Sequence, residues 1–268
     1  MAKLKMKAEI TAHIQLASDI FDMVIKAPAI AEQAAPGQFV SLYSKDGAKL
    51  LPRPVSLCFI DREEGKLRLV YRVAGAGTRE LSQLQAGETI DVLGPLGNGF
   101  PVKGGKKALV IGGGIGIPPM LELARALAQA NASGEGSGGG GLVQTILGYR
   151  DSQMFLRDEF KAFGSVYEGT EDGSRGIRGN VLDVIHQQNL DGEILYGCGP
   201  TPMLRALKAY AMEKGIECWL SLEERMACGV GACLACVCQS KEIDPHSQVY
   251  NKRICKDGPV FLAEEIEL

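Results

Sequence analysis

Eight cysteines are distributed unevenly along the 268 residues. Cys58 stands alone in the first half, and the other seven lie in the last 71 positions. Among those seven, Cys228-x4-Cys233-x2-Cys236 and, after 18 further residues, Cys255 reproduce the spacing of the four thiolates around a plant-type 2Fe-2S cluster. Such a cluster needs thiolates converging from one side of a tight loop. Ala227, Gly229, Gly231, Ala232 and Ala235 leave room for backbone amides to approach the sulfurs. A structural zinc site is the alternative, but its knuckles come in pairs and no second pair is present here. The x2 spacing favours Cys236 over Cys238, which reads as a small buried hydrophobe, as do Cys58, Cys198 and Cys218 in strand-like contexts. None of His13, His186 and His246 neighbours another candidate catalytic group, so all three are expected to be surface or packing residues.

Two glycine turns carry a different chemistry. GGGIGIPPM, from Gly112 to Met120, joins an apolar run to a helical pattern, the arrangement in which a backbone can approach a pyrophosphate at a helix N-terminus. It is not the ordinary dinucleotide fingerprint, because Ile117 occupies the third glycine position. YGCGPTPML, from Tyr196 to Leu204, repeats the strand-Gly-Pro-helix design, and in a parallel sheet both turns would reach the same ligand-binding edge. Earlier in the chain, RPVSL places Arg53 to pair with a phosphate and Ser56 to reach a heteroaromatic nitrogen. Gly75 to Thr78 opens a short helical pattern that could accept an anion, with Thr78 as its cap.

These groups need elements to hold them. Residues 1 to 101 show six β-rich runs with turn residues between, as expected for a small antiparallel barrel, with one helix over 77 to 84. From 102 to 222 strand and helix patterns alternate, including a helix over 155 to 163, which implies a parallel sheet with helices on its faces. The loop from Thr170 to Gly176 places Glu171 and Asp172 where ribose hydroxyls would be read, while Arg175 and Arg178 argue the other way, so NAD against NADP stays open. Residues 134 to 141, GEGSGGGG, read as a flexible connection without a chemical role. Residues 223 to 268 hold too few large apolar side chains for a core of their own, so an inorganic staple is expected.

Composition excludes other classes. With 46% hydrophobic and 23% charged residues and a net charge of -3, the chain is globular and has no basic footprint for nucleic acid. No apolar stretch of 18 residues and no signal-peptide pattern occurs, so neither membrane nor export is expected. Clustered thiols in a cytoplasmic protein read as metal or redox groups.

R-P-x-S in a barrel, G-G-I-G-I-P-P and Y-G-C-G-P in an α/β unit resemble the ferredoxin-NADP reductase superfamily. SLEERMACGVGACLACVC followed by RICKDGPVF is similar to one family within it, the electron-transfer subunits of NAD-dependent dihydroorotate dehydrogenase B, and the likeness covers essentially the whole chain. The resemblance implies an FAD-binding barrel, an NAD-binding α/β domain and a small 2Fe-2S domain. It places Arg53, Pro54, Val55 and Ser56 on FAD, with Arg53 at the pyrophosphate and Ser56 near the isoalloxazine, and adds Val70, Tyr71, Arg72, Gly77 and Thr78. Gly112, Gly114, Gly116, Pro118, Gly197, Cys198, Gly199 and Pro200 fall on the nicotinamide side, and Cys228, Cys233, Cys236 and Cys255 become cluster ligands. Val55 replaces the superfamily's flavin-stacking tyrosine, which makes Tyr71 a candidate cover for the flavin.

The implied activity is transfer of electrons through the cluster and FAD to NAD+, in pyrimidine biosynthesis. The implied partner is an FMN-containing catalytic subunit, in a heterotetramer of two copies each. No catalytic acid or base is expected in this chain. Related subunits of a sulfide dehydrogenase or of a bifurcating ferredoxin-NADP reductase share the same layout, and a zinc-stabilised binding module is the alternative of another class.

Overall fold

The structure is a computed structural model that describes residues 3–133, 141–245 and 247–268. His246 and the glycine tract, Gly141 apart, lie outside the described residues.

Alternation builds the first unit. In β1 (Leu4–Ala17), Ala8 and Ile10 are buried while Lys5, Lys7 and Glu9 face outward, the period of a strand with one wet face. Together with β2 (Ile20–Lys26), β3 (Phe39–Tyr43), β4 (Arg53–Asp61), β5 (Lys66–Arg72) and β6 (Thr89–Leu96) it forms a closed antiparallel barrel in the order β1-β2-β5-β4-β3-β6. Closure satisfies the edges that an open six-stranded sheet would expose. Ile10, Met23, Ile25, Leu42, Leu57 and Leu69 fill the inside. A helix without a sequence expectation, α1 (Pro28–Gln33), buries Ile30 and Ala31 against this core. The helix expected over 77 to 84 spans Ala76–Leu81 as α2. Gly75 is the N-cap residue, and Thr78 caps the end from the third helical position, its hydroxyl accepting from the Ala74 and Gly75 amides at 2.9 and 3.1 Å.

The second unit is a seven-stranded sheet in the order β10-β9-β8-β7-β11-β12-β15. β7 (Ala108–Gly113), β8 (Val143–Tyr149), β9 (Ser165–Thr170), β10 (Ile177–Arg178), β11 (Ile194–Cys198) and β12 (Glu217–Ser221) run parallel. β7 is buried along its whole length, as a central strand covered on both faces must be. The covering helices are α3 (Ile117–Ala132), α4 (Val181–Gln187) and α5 (Thr201–Lys214). The helix expected over 155 to 163 is reduced to one 3-10 turn at Glu159–Ala162. Leu156 takes a φ of +64°, outside the right-handed helical region, and its neighbour Arg157 is pulled toward Glu168 of β9 by a 2.7 Å ion pair.

The last stretch carries a two-stranded sheet, β13 (Val237–Gln239) with β14 (Asn251–Arg253). Its final strand, β15 (Val260–Leu262), adds antiparallel to β12 at the edge of the large sheet. The tail therefore borrows a core in addition to whatever its cysteines bind. Cys236, Ile254, Cys255, Phe261 and Ile266 share one cluster with Leu96 of the barrel and with residues of the large sheet. No described helix is long and apolar enough to cross a membrane.

Candidate functional site

Three separated pieces of the barrel meet at its rim. Arg53 starts β4, and its guanidinium lies directly against Gly77 at the start of α2, where a Cβ would overlap Nε, Cζ and Nη2. Nη1 also donates to the Leu51 carbonyl, so the side chain is held from two directions. On the same strand Val55 is buried and Ser56 half-buried, while Pro54 is exposed. The third piece is the end of β5, where Arg72 pairs with Asp19 at 3.3 Å and extends a nitrogen toward Gly114, close enough for van der Waals contact with a Cβ placed there.

Tyr71 does not lie open to cover a ligand. It is 3% exposed, its ring stacks on Phe21 at 6.0 Å, and its hydroxyl meets His13 Nε2 at 3.0 Å. Because His13 Nδ1 faces the Leu84 carbonyl at 2.6 Å, that nitrogen must donate and Nε2 must accept from Tyr71. Burial pushes the Tyr71 phenol above its ordinary range. The ring is part of the barrel wall because the inward face of β5 needs a large apolar group there. His13 is thus a packing residue whose two ring nitrogens are both engaged.

The two glycine turns are brought into direct contact, because β7 and β11 are neighbours and Gly112 is in register with Cys198. A Cβ on Gly116 would overlap the Cys198 carbonyl, and one on Gly199 would stand 3.1 Å from the Gly113 oxygen. Gly114, in the left-handed region at φ +54°, lets the chain turn from β7 into α3, which starts with Pro118 in its first turn. Gly114, Cys198 and Gly199 are partly open and Pro200 is exposed. Gly112 and Gly197 are buried instead. Gly112 lies under Ile117 of α3 and Gly197 under Leu207 of α5, so each allows a helix to approach its strand. Asp172 and Glu171 end β9 on this same sheet edge. The Asp172 carboxylate accepts the Ser174 side chain and amide, which hold it below the usual carboxylate range.

The cysteine loop gathers its sulfurs: Cys233 lies close enough to Cys228 to lower its thiol, and Cys236 close enough to Cys255 to raise that one. Burial raises the Cys228 thiol, but amides of Val230 at 3.4 Å and Ala232 at 3.3 Å, with Cys233, outweigh it and bring the group down. Desolvation and Cys236 push Cys255 up. Gly229 and Gly231 adopt φ of +68° and +86°, which curls the loop onto the turn around Cys255, with Gly231 packed under the Lys256 stem. Four cysteines drawn onto one loop and its neighbouring turn, with the Val230 and Ala232 amides aimed at one sulfur, fit a thiolate-held cluster. Among the described residues no three Cys, His, Asp or Glu side chains surround one single-ion position. Cys238 points elsewhere, donating to the Lys252 carbonyl at 3.6 Å across β13 and β14.

The three parts share one neighbourhood. A groove of about 480 Å³ runs between the segment Leu50 to Arg53 and Arg225 and Met226 of the approach to the cysteine loop. Asn98, just beyond β6, ties the turn around Cys255 to the barrel. Its amide donates to the Lys256 and Asp257 carbonyls at 3.3 and 2.9 Å. Sequence reading missed Asn98. Its only signal is an asparagine between two glycines, which announces a turn and says nothing of a partner 158 residues away.

Comparison with known proteins follows the same three parts. Residues 223–267 match the family described as the iron-sulfur cluster binding domain of dihydroorotate dehydrogenase B. Residues 110–209 match the oxidoreductase NAD-binding domain and residues 5–100 the oxidoreductase FAD-binding domain. The chain is 44% identical over 264 residues to the protein of Geobacillus sp. (strain WCH70) named dihydroorotate dehydrogenase B (NAD(+)), electron transfer subunit, covering 97% of each. It is 44% identical to the like-named protein of Bacillus caldolyticus, covering 94% of this chain and 95% of that one. A chain in the solved structure of an NADH-dependent reduced ferredoxin-NADP oxidoreductase superposes with a TM-score of 0.83 at 32% identity, covering 97% of this chain and 89% of that one.

Proposed function

The chain belongs to the family of electron-transfer subunits of dihydroorotate dehydrogenase B (NAD(+)), and from that premise we propose that it carries electrons from an FMN-containing catalytic subunit to NAD+ in pyrimidine biosynthesis. When bound, FAD supplies the change of currency, because it accepts single electrons from an iron-sulfur cluster and hands a hydride to a nicotinamide. The chain's own residues bind and orient. Arg53, braced by Gly77, offers a fixed cation to a pyrophosphate, and Ser56, half-buried on the same strand, offers a hydroxyl to a flavin edge. Gly114 and Gly199 leave backbone open to the nicotinamide nucleotide at the edge where β7 and β11 end, and Gly116 lets the two turns pack together there. Cys228, Cys233, Cys236 and Cys255 would hold the cluster, which supplies one-electron transfer when bound. The acid or base that acts on dihydroorotate is assigned to the catalytic subunit.

The observation that carries this reading is the position of the flavin strand. Its Arg53 lines one groove with the approach to the cysteine loop, and Arg72 at the end of β5 reaches the nucleotide turn at Gly114. The functional divisions run from 1 to 101 for FAD, from 102 to 222 for NAD and from 223 to 268 for the cluster. The assembly is a heterotetramer of two copies of each subunit, in the cytoplasm.

The test is to purify the full chain with and without its partner, and to assay NADH oxidation with an artificial acceptor and orotate formation from dihydroorotate. Iron near two per chain, bound FAD, NADH oxidation by the chain alone and orotate formation only with the FMN subunit are expected. Orotate made by the isolated chain would overturn the division of labour, and a flavin-free, zinc-containing chain would overturn the function.

A further inference from the structure

Glu122 lies in the second turn of α3, past the Gly114–Gly116 turn, and is 1% exposed. Its Oε2 accepts the Ile60 amide of β4 at 3.1 Å, and its Oε1 accepts Arg125 Nη2 at 2.6 Å. The same Nη2 donates to the Ile60 carbonyl at 2.8 Å, and the Arg125 guanidinium stands 4.2 Å from the centre of the Phe59 ring. One residue of a barrel strand thus has both backbone groups satisfied by two side chains, three residues apart, on a helix of the neighbouring unit.

The reason is in the strand pairing. β3 accompanies β4 only from Arg53 to Ser56, and the Leu57 amide then turns to the Gln38 carbonyl. Beyond that point Glu122 and Arg125 stand where the acceptor and donor of a neighbouring strand would be. The surroundings are apolar, with Cys58, Val70 and Leu121 in the same cluster. Desolvation raises the Glu122 carboxyl above its usual range, and Arg125 opposes the shift. A buried carboxylate is a costly way to fill such a seam unless its directed bonds matter, since an apolar side chain would pack there more cheaply.

What the bonds join is informative. β4 begins at Arg53, the end assigned to flavin, and α3 begins at the turn assigned to the nicotinamide. Both elements are continuous, so fixing Glu122 on Ile60 fixes one end against the other. We propose that Glu122 is a positioning residue for hydride transfer, holding the nicotinamide turn at working distance from the flavin strand. The proposal rests on the function given above. In the direction tested, NADH is oxidised to NAD+ while FAD takes the hydride and one proton from water. Transfer needs the reacting atoms about 3 to 3.5 Å apart, and a misplacement of about 1 Å costs on the order of 100-fold in rate.

The experiment uses the full chain with its cluster, as wild type, Glu122→Ala and Glu122→Gln. Amide exchange at Ile60 is followed first in flavin-free protein, and anaerobic stopped-flow reduction by NADH second, with FAD and iron content measured for each. Glu122→Ala is expected to speed Ile60 exchange and to slow the limiting rate of flavin reduction at least about tenfold, with FAD and iron retained and the half-saturating NADH concentration changed less than about threefold. Glu122→Gln, which keeps an acceptor for Ile60, is expected to recover most of both. Flavin reduction by Glu122→Ala at the wild-type rate would overturn the proposal, and so would Glu122→Gln that protects Ile60 yet reduces flavin as slowly as Glu122→Ala. Should Glu122→Ala fail to fold, Arg125→Met, which removes the donor to the Ile60 carbonyl, carries the same expectation and the same refutation for flavin reduction. Wild-type protein that takes no hydride from NADH would refute the function itself, a failure distinct from a fast variant beside a fast wild type.

Discussion

The guanidinium of Arg53 is seated on the backbone of Gly77, 24 positions later in the chain, with no space between them for a side chain. A barrel strand and the helix that follows β5 thereby build one cationic corner.

Gly77→Ala is expected to displace Arg53 and to weaken FAD binding about 10- to 100-fold, the equivalent of losing a charge-assisted hydrogen bond of about 1.5 to 3 kcal/mol. Titration of the flavin-free chain followed by flavin fluorescence measures it. Unaltered affinity would show that Arg53 does not hold the pyrophosphate.

The cysteines separate by contact. Cys233→Ser is expected to lose the visible iron-sulfur absorption and most of the iron while FAD remains, because Cys233 sits beside Cys228 in the loop at cluster spacing. Cys238→Ser should keep both, since its thiol is bonded to Lys252 in the small sheet. Iron analysis and absorption spectra decide, and iron loss from the Cys238 variant alone would reverse the ligand assignment.

Gly116 is in contact with the Cys198 carbonyl and Gly199 Cα of the second turn. A methyl group there must separate the two turns, so Gly116→Ala is expected to raise the KM for NADH about tenfold, a loss of about 1.4 kcal/mol of binding. An unchanged KM would remove the paired turns from the nucleotide site.

Glu80 of α2 gathers Ser44, the Lys45 amide and Lys49, bonds of 2.5, 2.9 and 2.7 Å. Lys49 first, and then Ser44, bring its carboxyl down from 4.5 to about 2. A depressed folded-state pKa contributes stability above pH 4.5 that fades as pH falls toward 2. Partial exposure screens the effect, and Glu80→Gln is expected to cost about 1 kcal/mol near neutrality and progressively less in acid. Denaturant unfolding at pH 7 and pH 3 checks the sign, and an equal deficit at both would contradict it.

Local pattern made much of the fold legible. Alternation along β1 and the continuous apolar run of β7 mark the two kinds of sheet, because strand period and burial are written in neighbouring residues. The misread elements were set by long-range contact. Residues 155 to 163 have helical spacing, yet Arg157 is bound to Glu168 and Leu156 leaves the helical region. Tyr71 has the right chemistry to cover a flavin, but Phe21 and His13 draw it into the barrel wall. β15 carries no sign that it will join β12, because edge pairing is decided by which strand has a free side.

Sequence by itself determined the donors: four thiols at cluster spacing, an arginine and a hydroxyl on one strand, and two glycine turns, since ligand type and loop length are local properties. Tertiary structure alone decided their apposition. It seated Arg53 on Gly77, stacked one glycine turn on the other, tied the turn around Cys255 to Asn98 and bolted β4 to α3 through Glu122. Each of these joins residues far apart in the chain, and a distance across the fold follows from how the sheets close and pack, which neighbouring residues do not encode.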